Sequence, residues 1–165
     1  MTQGSIALGL VGLCSRSGLK VAVAESCTGG GVGAAITSAP GASEIFPGGV
    51  VSYSNGAKER ILGVGAATLE RFGAVSEECA REMAEGARRL FGADIAVSVT
   101  GIAGPGGGGA GKPVGLVCFG VSSRGEVSAE SVRFGGGRDD VRAGAVAHAM
   151  ELLAEAARRL AGEAP

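Results

Sequence analysis

A turn rich in hydroxyls and glycines follows the first β-prone run of the chain and has the composition of a nucleophile site. The residues from Glu25 to Gly31 read ESCTGGG. Such a turn exposes a hydroxyl, and its backbone N–H groups at a helix start can hold the oxyanion that acyl transfer requires. Ser26 is therefore a candidate nucleophile, with Thr28, Gly29 and Gly30 beside the substrate. The alternative is that Ser26 or Thr28 only caps the helix while the glycines permit close packing.

A lysine further along the chain can supply the base that a serine nucleophile needs. The segment from Tyr53 to Lys58 places a phenol and an amine where a second β-prone run meets a short helix. A serine hydroxyl is a weak nucleophile until a neighbour accepts its proton, and a desolvated lysine near a helix N-terminus has its charged form disfavoured. If this junction faces Ser26, Lys58 is the predicted base. The alternative is a solvated lysine paired with Glu59 or Asp94.

Two other segments are suited to binding phosphate. The loop from Thr100 to Gly109 follows a β-prone run, and its glycines can bring backbone N–H groups around a phosphate, although it matches neither common glycine-rich phosphate motif. Arg138 follows three glycines at the start of the last helix, where it can clamp a phosphate, and Arg142 lies one helical turn further on. The alternatives are a flexible surface connection for the loop and salt bridges to Asp139 or Asp140 for the arginines.

Alternating strands and helices must position these groups. Hydrophobic periodicity and cap residues predict a small-residue helix between Gly31 and Pro40 and a helix that Ser76 caps and Gly92 ends. The other predicted helices are Ser5–Ser17, Ala57–Leu62 with Lys58 at its opening, and Asp139–Leu160; the predicted strands are Lys20–Ala24, Gly48–Ser54, Asp94–Val99, Val114–Ser122 and Glu126–Phe134. The last two strands form a hairpin. This order predicts an α/β fold, a three-layer α/β/α sandwich with a mixed β-sheet, in a single domain over residues 1–165.

Composition and charge exclude several classes of function. The net charge is −1, so the chain lacks the basic surface of a nucleic-acid or membrane binder, and a small nucleotide-like molecule is the expected partner. No long apolar stretch or secretory signal occurs, and we expect a cytoplasmic protein. The only histidine is His148, and the four cysteines, Cys14, Cys27, Cys79 and Cys118, are widely separated. We therefore expect reduced thiols and neither a metal nor a cofactor.

Taken together, the motifs resemble those of the CinA C-terminal domain family, and the resemblance covers nearly the whole chain. They are Ala24–Gly30, Gly49–Asn55, Thr100–Pro105 followed by Lys112–Gly115, and Gly137–Arg138, in that order. The resemblance implies the α/β/α fold. It also implies an amidohydrolase activity, because stand-alone members of the family convert nicotinamide mononucleotide to nicotinic acid mononucleotide and ammonia. We expect the stand-alone form here.

The resemblance assigns roles residue by residue. It implies Ser26 as nucleophile, Lys58 as its base, Tyr53 and Thr100 as active-site partners, and Arg138 on the substrate side. We also expect Gly101 and Arg142 among the substrate-binding residues. The expected mechanism passes through an acyl-enzyme, with backbone amides near Gly29 to Gly31 holding the oxyanion.

The sequence alone leaves two alternatives to this mechanism open. One is a nucleotide-binding or regulatory module of the same family that binds without turnover. Another makes Cys27 the nucleophile, which burial of its thiol would oppose. We also expect a homodimer, because the first helix and the alanine-rich last helix offer apolar faces.

Overall fold

A mixed five-stranded β-sheet forms the centre of the computed structural model, which describes residues 3–162. The strands are β1 (Val21–Glu25), β2 (Gly48–Val51), β3 (Ile95–Gly101), β4 (Leu116–Ser123) and β5 (Glu126–Arg133), and their order across the sheet is β2-β1-β3-β4-β5. β1 pairs in parallel with both β2 and β3, whereas β4 is antiparallel to β3 and β5. The predicted mixed sheet and its terminal hairpin are confirmed.

Helices cover both faces of the sheet and complete a three-layer α/β/α sandwich. They are α1 (Gln3–Ser17), α2 (Gly31–Thr37), α3 (Asn55–Leu62), α4 (Ala66–Phe72), α5 (Glu77–Phe91) and α6 (Arg138–Ala161), with a 3₁₀ turn at Ala42–Glu44. α1, α2 and α6 pack together on one face, and α3, α4 and α5 pack on the other. The fold class predicted from the sequence is confirmed.

The central strands are apolar on both sides because helices lie on both sides. Every residue of β1 is buried, and β3 is buried from Ile95 to Thr100. Alternate side chains of β1 enter two different cores: Val21 and Val23 face α1, α2 and α6, while Ala22 and Ala24 face α5. Strands covered in this way hold their carboxyl ends rigidly, which matters for the residues that follow them.

Several boundaries differ from those predicted from the sequence. β2 ends at Val51 rather than Ser54, and α3 begins at Asn55 rather than Ala57, because the Ser54 hydroxyl caps α3 by accepting the N–H of Ala57 at 3.2 Å. Lys58 is therefore the fourth residue of α3 and does not open it. The helix α4 and the 3₁₀ turn were not predicted. The Ser76 cap and the Gly92 end of α5 are confirmed.

A close helix contact sets the position of α3. A Cβ atom at Gly86 of α5 would lie 2.0 Å from the carbonyl oxygen of Leu62, the last residue of α3. Any side chain at position 86 would therefore push α3 away from α5. Gly86 thus allows the close approach that fixes the helix carrying Lys58.

The apolar faces of the first and last helices are used within the chain. α1 packs against α6, and Leu10, Ala149 and Leu153 are almost fully buried in their shared core. These faces are therefore packed against each other within one chain and do not support pairing between two chains, and the dimer stays a prediction. No helix within residues 3–162 is both long enough and apolar enough to cross a membrane.

Candidate active site

The carboxyl ends of three parallel strands meet at one edge of the sheet and carry the candidate site. Glu25, the last residue of β1, is in register with Val51 of β2 and Val99 of β3. Ser26 and Ser52 directly follow the paired positions of β1 and β2, and β3 continues two residues further, to Gly101. In open α/β sheets, ligands characteristically bind outside the carboxyl ends of the strands.

A cleft of about 280 Å³ opens at this edge. Six of the predicted catalytic and substrate-binding residues line it: Ser26, Tyr53, Lys58, Thr100, Gly101 and Arg138. Its volume is near the lower end of small-molecule sites, roughly 300–1,000 Å³. The structure therefore brings the predicted nucleophile and base into one cleft.

Lys58 reaches from the first turn of α3 to the nucleophile turn. Its Nζ lies 3.1 Å from Oγ of Ser26 and 2.6 Å from the carbonyl oxygen of Ser52, and the residue is 1% exposed. Helical side chains lean toward the helix N-terminus, which directs Lys58 back toward the strand ends. Within residues 3–162 it has no carboxylate partner, so the pairing with Glu59 or Asp94 considered above does not occur.

Burial lowers the pKa of Lys58 from its ordinary value, because an ammonium is costly to remove from water. The only opposing influence comes from the thiols of Cys79 and Cys27, and it requires them to be thiolates. Burial raises the pKa of both thiols to about 11, so they are neutral at physiological pH. The environment of Lys58 therefore favours the uncharged amine.

Cys27 lines the cleft beside Ser26 but is poorly suited to attack. The residue is 5% exposed, and burial is the main reason that its pKa rises to about 11. A thiol acts as a nucleophile in its thiolate form. Burial therefore opposes the alternative in which Cys27 replaces Ser26.

The backbone amides predicted to hold an oxyanion already have acceptors within the protein, so that prediction is wrong. The N–H of Gly29 donates to the carbonyl of Ser26 at 3.0 Å, and the N–H of Gly31 donates to that of Thr28 at 3.1 Å. The N–H of Gly30 donates to the carboxylate of Glu25 at 3.0 Å. Thr28, Gly29 and Gly30 also lie outside the lining of the cleft.

Of two other amides in the turn, one belongs to Cys27, which lines the cleft, and one to Thr28, which lies outside the cleft lining. Within residues 3–162, the N–H groups of Cys27 and Thr28 donate to no backbone carbonyl and no side-chain oxygen, whereas the N–H of Ser26 donates to Val99 of β3 at 2.9 Å. An amide directly after a nucleophilic serine is a common oxyanion donor on strand–turn–helix sites. The sequence carried no signal that separates these amides from those of the glycines.

One wall of the cleft is held together by Arg138. Its guanidinium donates to the carbonyl of Gly104 at 2.8 Å and to the hydroxyl of Tyr53 at 3.2 Å. Tyr53 is 61% exposed and makes no hydrogen bond to Ser26 or Lys58. The structure thus places Tyr53 next to Arg138 rather than next to the serine–lysine pair.

Arg142 points to a different place. It donates to the carbonyls of Cys27 at 3.2 Å and Thr28 at 3.1 Å. A second, separate cleft is lined by Arg142 and Thr28, whose buried hydroxyl has no hydrogen-bond partner within the described residues. Arg142 and Thr28 are therefore not brought into the cleft that contains Ser26.

The remaining wall includes residues that the sequence did not indicate. The hydroxyl of Thr100 donates to the carbonyl of Ala74 at 2.8 Å, which ties the end of β3 to the connection between α4 and α5. Ala74 and Val75 consequently line the cleft. Their small apolar side chains carry no pattern that marks a site.

Groups suited to metal binding are not gathered in the described part of the chain. Residues 3–162 contain no cluster of three or more His, Cys, Asp or Glu side chains that could hold an ion. His148 contacts the carboxylate of Glu130 on β5 and packs edge-on against Phe119, with ring centroids 4.7 Å apart. All four cysteines are buried and unpaired.

The fold and the cleft together define a three-layer α/β/α domain that carries a buried serine–lysine pair where its parallel strands end. The chain belongs to the CinA C-terminal domain family, whose model matches residues 4–157.

Known proteins and solved structures support this assignment. The chain is 49% identical over 154 residues to a CinA-like protein of Parasynechococcus marenigrum strain WH8102, covering 92% of this chain and 37% of that protein. It is 56% identical over 128 residues to a CinA-like protein of Chlorobaculum tepidum, covering 76% of this chain and 30% of that protein. The chain thus spans about a third of the length of the curated relatives it matches.

The structural matches extend over nearly the whole chain. A CinA superfamily protein of Klebsiella pneumoniae 700603 superposes with a TM-score of 0.91 at 37% identity, covering 96% of this chain and 99% of that one. The competence/damage inducible protein CihA of Agrobacterium tumefaciens superposes with a TM-score of 0.89 at 45% identity, covering 92% and 93%.

Proposed function

We propose that this protein is an amide hydrolase that converts nicotinamide mononucleotide to nicotinic acid mononucleotide and ammonia. The observation that carries the proposal is the 3.1 Å separation between Nζ of Lys58 and Oγ of Ser26 inside a cleft. Lys58 is buried without a counter-ion in the described chain, which is an environment that suits a base and not a surface charge.

The hydrogen bonds of Lys58 fit the role of general base. A neutral amine has two N–H groups and one lone pair. One N–H donates to the carbonyl of Ser52, and the lone pair can then accept the hydroxyl proton of Ser26. The proton passes to Nζ as Oγ bonds to the carboxamide carbon of the substrate.

The tetrahedral intermediate carries a negative oxygen that needs donors. The N–H of Cys27, the residue directly after Ser26 and part of the cleft lining, is the donor that the turn offers, in place of the glycine amides expected from the sequence. Breakdown of the intermediate breaks the C–N bond, and Lys58 returns its proton to the leaving ammonia. Water then attacks the acyl-serine ester, releasing the carboxylic acid and restoring the Ser26 hydroxyl.

Arg138 is the group that suits the phosphate of a mononucleotide. A guanidinium has five N–H groups, and Gly104 and Tyr53 occupy two of those of Arg138. The others have no partner within the described residues and can form charge-assisted hydrogen bonds to a phosphate, which distinguish a nucleotide from its nucleoside. Holding the phosphate there would orient the carboxamide in the cleft.

Ammonia release by the purified protein tests this function. Nicotinamide mononucleotide, nicotinamide riboside and free nicotinamide are compared as substrates, with Ser26→Ala as the control for contaminating activity. We expect fast release from the mononucleotide only, and none from Ser26→Ala. Tight binding of the mononucleotide without ammonia release would instead assign the chain to a non-catalytic, nucleotide-binding role.

A further inference from the structure

The carboxylate of Glu25 is buried beside the nucleophile and has no part in the reaction described above. The residue is 1% exposed, and it lies outside the lining of the cleft. Each of its oxygens accepts backbone N–H groups: Oε2 from Gly30 at 3.0 Å and Val32 at 3.1 Å, and Oε1 from Gly33 at 2.9 Å. All its partners in the described part of the chain are N–H donors, so the side chain acts there as an acceptor.

These bonds close the turn that carries Ser26. Glu25 immediately precedes Ser26, and its partners lie five to eight residues later, at the start of α2. The first amides of a helix have no acceptor inside the helix, and Gly30, at the cap position, has no side chain to supply one. Glu25 supplies it from the end of β1. The position of Ser26 therefore depends on a carboxylate that lies outside the lining of the cleft.

The backbone of Glu25 also holds the base. Its carbonyl accepts the N–H of Ser52 at 2.8 Å, and the carbonyl of Ser52 accepts Nζ of Lys58 at 2.6 Å. The side chain of Glu25 is thus hydrogen-bonded to the turn that follows Ser26, and its carbonyl is hydrogen-bonded to Ser52, which in turn holds Lys58.

We infer that Glu25 is a positioning residue, which sets the separation of Ser26 and Lys58 by binding the Gly30, Val32 and Gly33 amides. The inference rests on the proposed role of Ser26 as nucleophile, and it is independent of the substrate. Loss of the Glu25 carboxylate slows attack by Ser26 without weakening substrate binding. A misplacement of about 1 Å can lower a reaction rate by roughly 100-fold.

Glu25→Gln is the informative substitution. It keeps the shape of the side chain but replaces one acceptor oxygen by an NH₂ group. That NH₂ group then faces a backbone N–H, and at least one hydrogen bond from the backbone is lost. Gly33→Ala is the matched control. Its added Cβ would lie 3.6 Å from Oε1 of Glu25 and 3.6 Å from Phe46, which are ordinary contacts, and the N–H of residue 33 is retained.

The first measurement is the rate of covalent labelling of Ser26 by a fluorophosphonate, counted per folded molecule. In this reaction Oγ bonds to phosphorus, fluoride leaves and Lys58 accepts the proton. We expect Glu25→Gln to be labelled about 100-fold more slowly than the unsubstituted protein and Gly33→Ala at nearly the original rate. Labelling of folded Glu25→Gln at the original rate would overturn the inference.

The second measurement separates this inference from the proposed function. If nicotinamide mononucleotide is hydrolysed, Glu25→Gln should lower kcat and leave KM nearly unchanged. If it is not hydrolysed, the proposed function fails while the labelling rates still decide the role of Glu25. Should Glu25→Gln not fold, Glu25→Asp, which keeps the charge on a shorter side chain, is labelled instead. Failure of both variants to fold would assign Glu25 to folding alone and overturn the inference.

Discussion

The amine of Lys58 lies 3.1 Å from the hydroxyl of Ser26, although the two residues are separated by 32 positions in the chain. The lysine is fixed from the other side by the carbonyl of Ser52. Within residues 3–162, this buried lysine has a hydroxyl on one side and a carbonyl on the other but no carboxylate that would stabilise its charged form. This relationship gives the site its expected reactivity, and most of the predictions depend on it.

Lys58→Arg should abolish ammonia release as fully as Lys58→Ala does. Arginine keeps a positive charge and much of the length but has no accessible neutral form, so neither variant has a base. Initial rates with nicotinamide mononucleotide test this, alongside circular dichroism to establish folding. Substantial activity in Lys58→Arg would make residue 58 an electrostatic group and would leave the reaction without its assigned base.

The free energy of unfolding should depend on pH through Lys58. Burial lowers the pKa of the folded-state lysine, whereas an unfolded lysine has a pKa of about 10.4. Between these values the unfolded chain binds a proton that the folded chain does not, so the stability of the unsubstituted protein rises with pH in that window. Lys58→Met lacks this titration. At neutral pH the free energy of unfolding of Lys58→Met should exceed that of the unsubstituted protein. This difference should shrink as pH rises, by up to about 1.4 kcal/mol per pH unit, and become constant above the pKa of the unfolded lysine.

Chemical denaturation of both proteins at a series of pH values measures this difference. All other titrating groups are common to the two proteins, so the subtraction isolates residue 58. Parallel stability curves for the two proteins would show that Lys58 has the same pKa folded and unfolded, and that its burial does not favour the neutral amine.

The layers of the fold could be predicted because each element carries a local signal. Ser76 and Gly92 bound α5 by caps that depend only on neighbouring residues, and the hairpin of β4 and β5 follows from its short polar turn. α4 was missed because its seven residues lie between glycines and bury only Leu69. A short helix with one buried side chain has little periodicity.

The chemistry of the site was less predictable than its location. The sequence predicted Ser26 directly after one strand and Lys58 at the start of the helix that follows the next, and the parallel register of β1 and β2 brings these segments together. The sequence could not show that the carboxylate of Glu25 accepts the N–H of Gly30, because hydrogen-bond partners depend on positions in three dimensions and not on spacing along the chain. For the same reason Arg138 and Arg142, one turn apart, appeared equivalent.

The two arginines should therefore give different kinetic effects. Arg138→Ala should raise KM for nicotinamide mononucleotide by about 10- to 100-fold, as expected for a lost charge-assisted hydrogen bond, and hardly change any residual reaction on the riboside. Arg142→Ala removes the donor to the carbonyls of Cys27 and Thr28, and it should lower kcat on both substrates by a similar factor. Equal effects of Arg138→Ala on both substrates would assign Arg138 to holding Gly104 and Tyr53 and not to the phosphate.

The nucleophile itself is tested most directly by intact-mass measurement of the protein during turnover of nicotinamide mononucleotide, combined with ammonia release. The unsubstituted protein and Cys27→Ala should both release ammonia and show a transient mass increase that maps to Ser26. Ser26→Ala and Ser26→Cys should lose most activity, and Ser26→Ala should show no adduct. An active Ser26→Ala protein with an inactive Cys27→Ala protein, or an adduct that maps to Cys27, would contradict the serine–lysine mechanism.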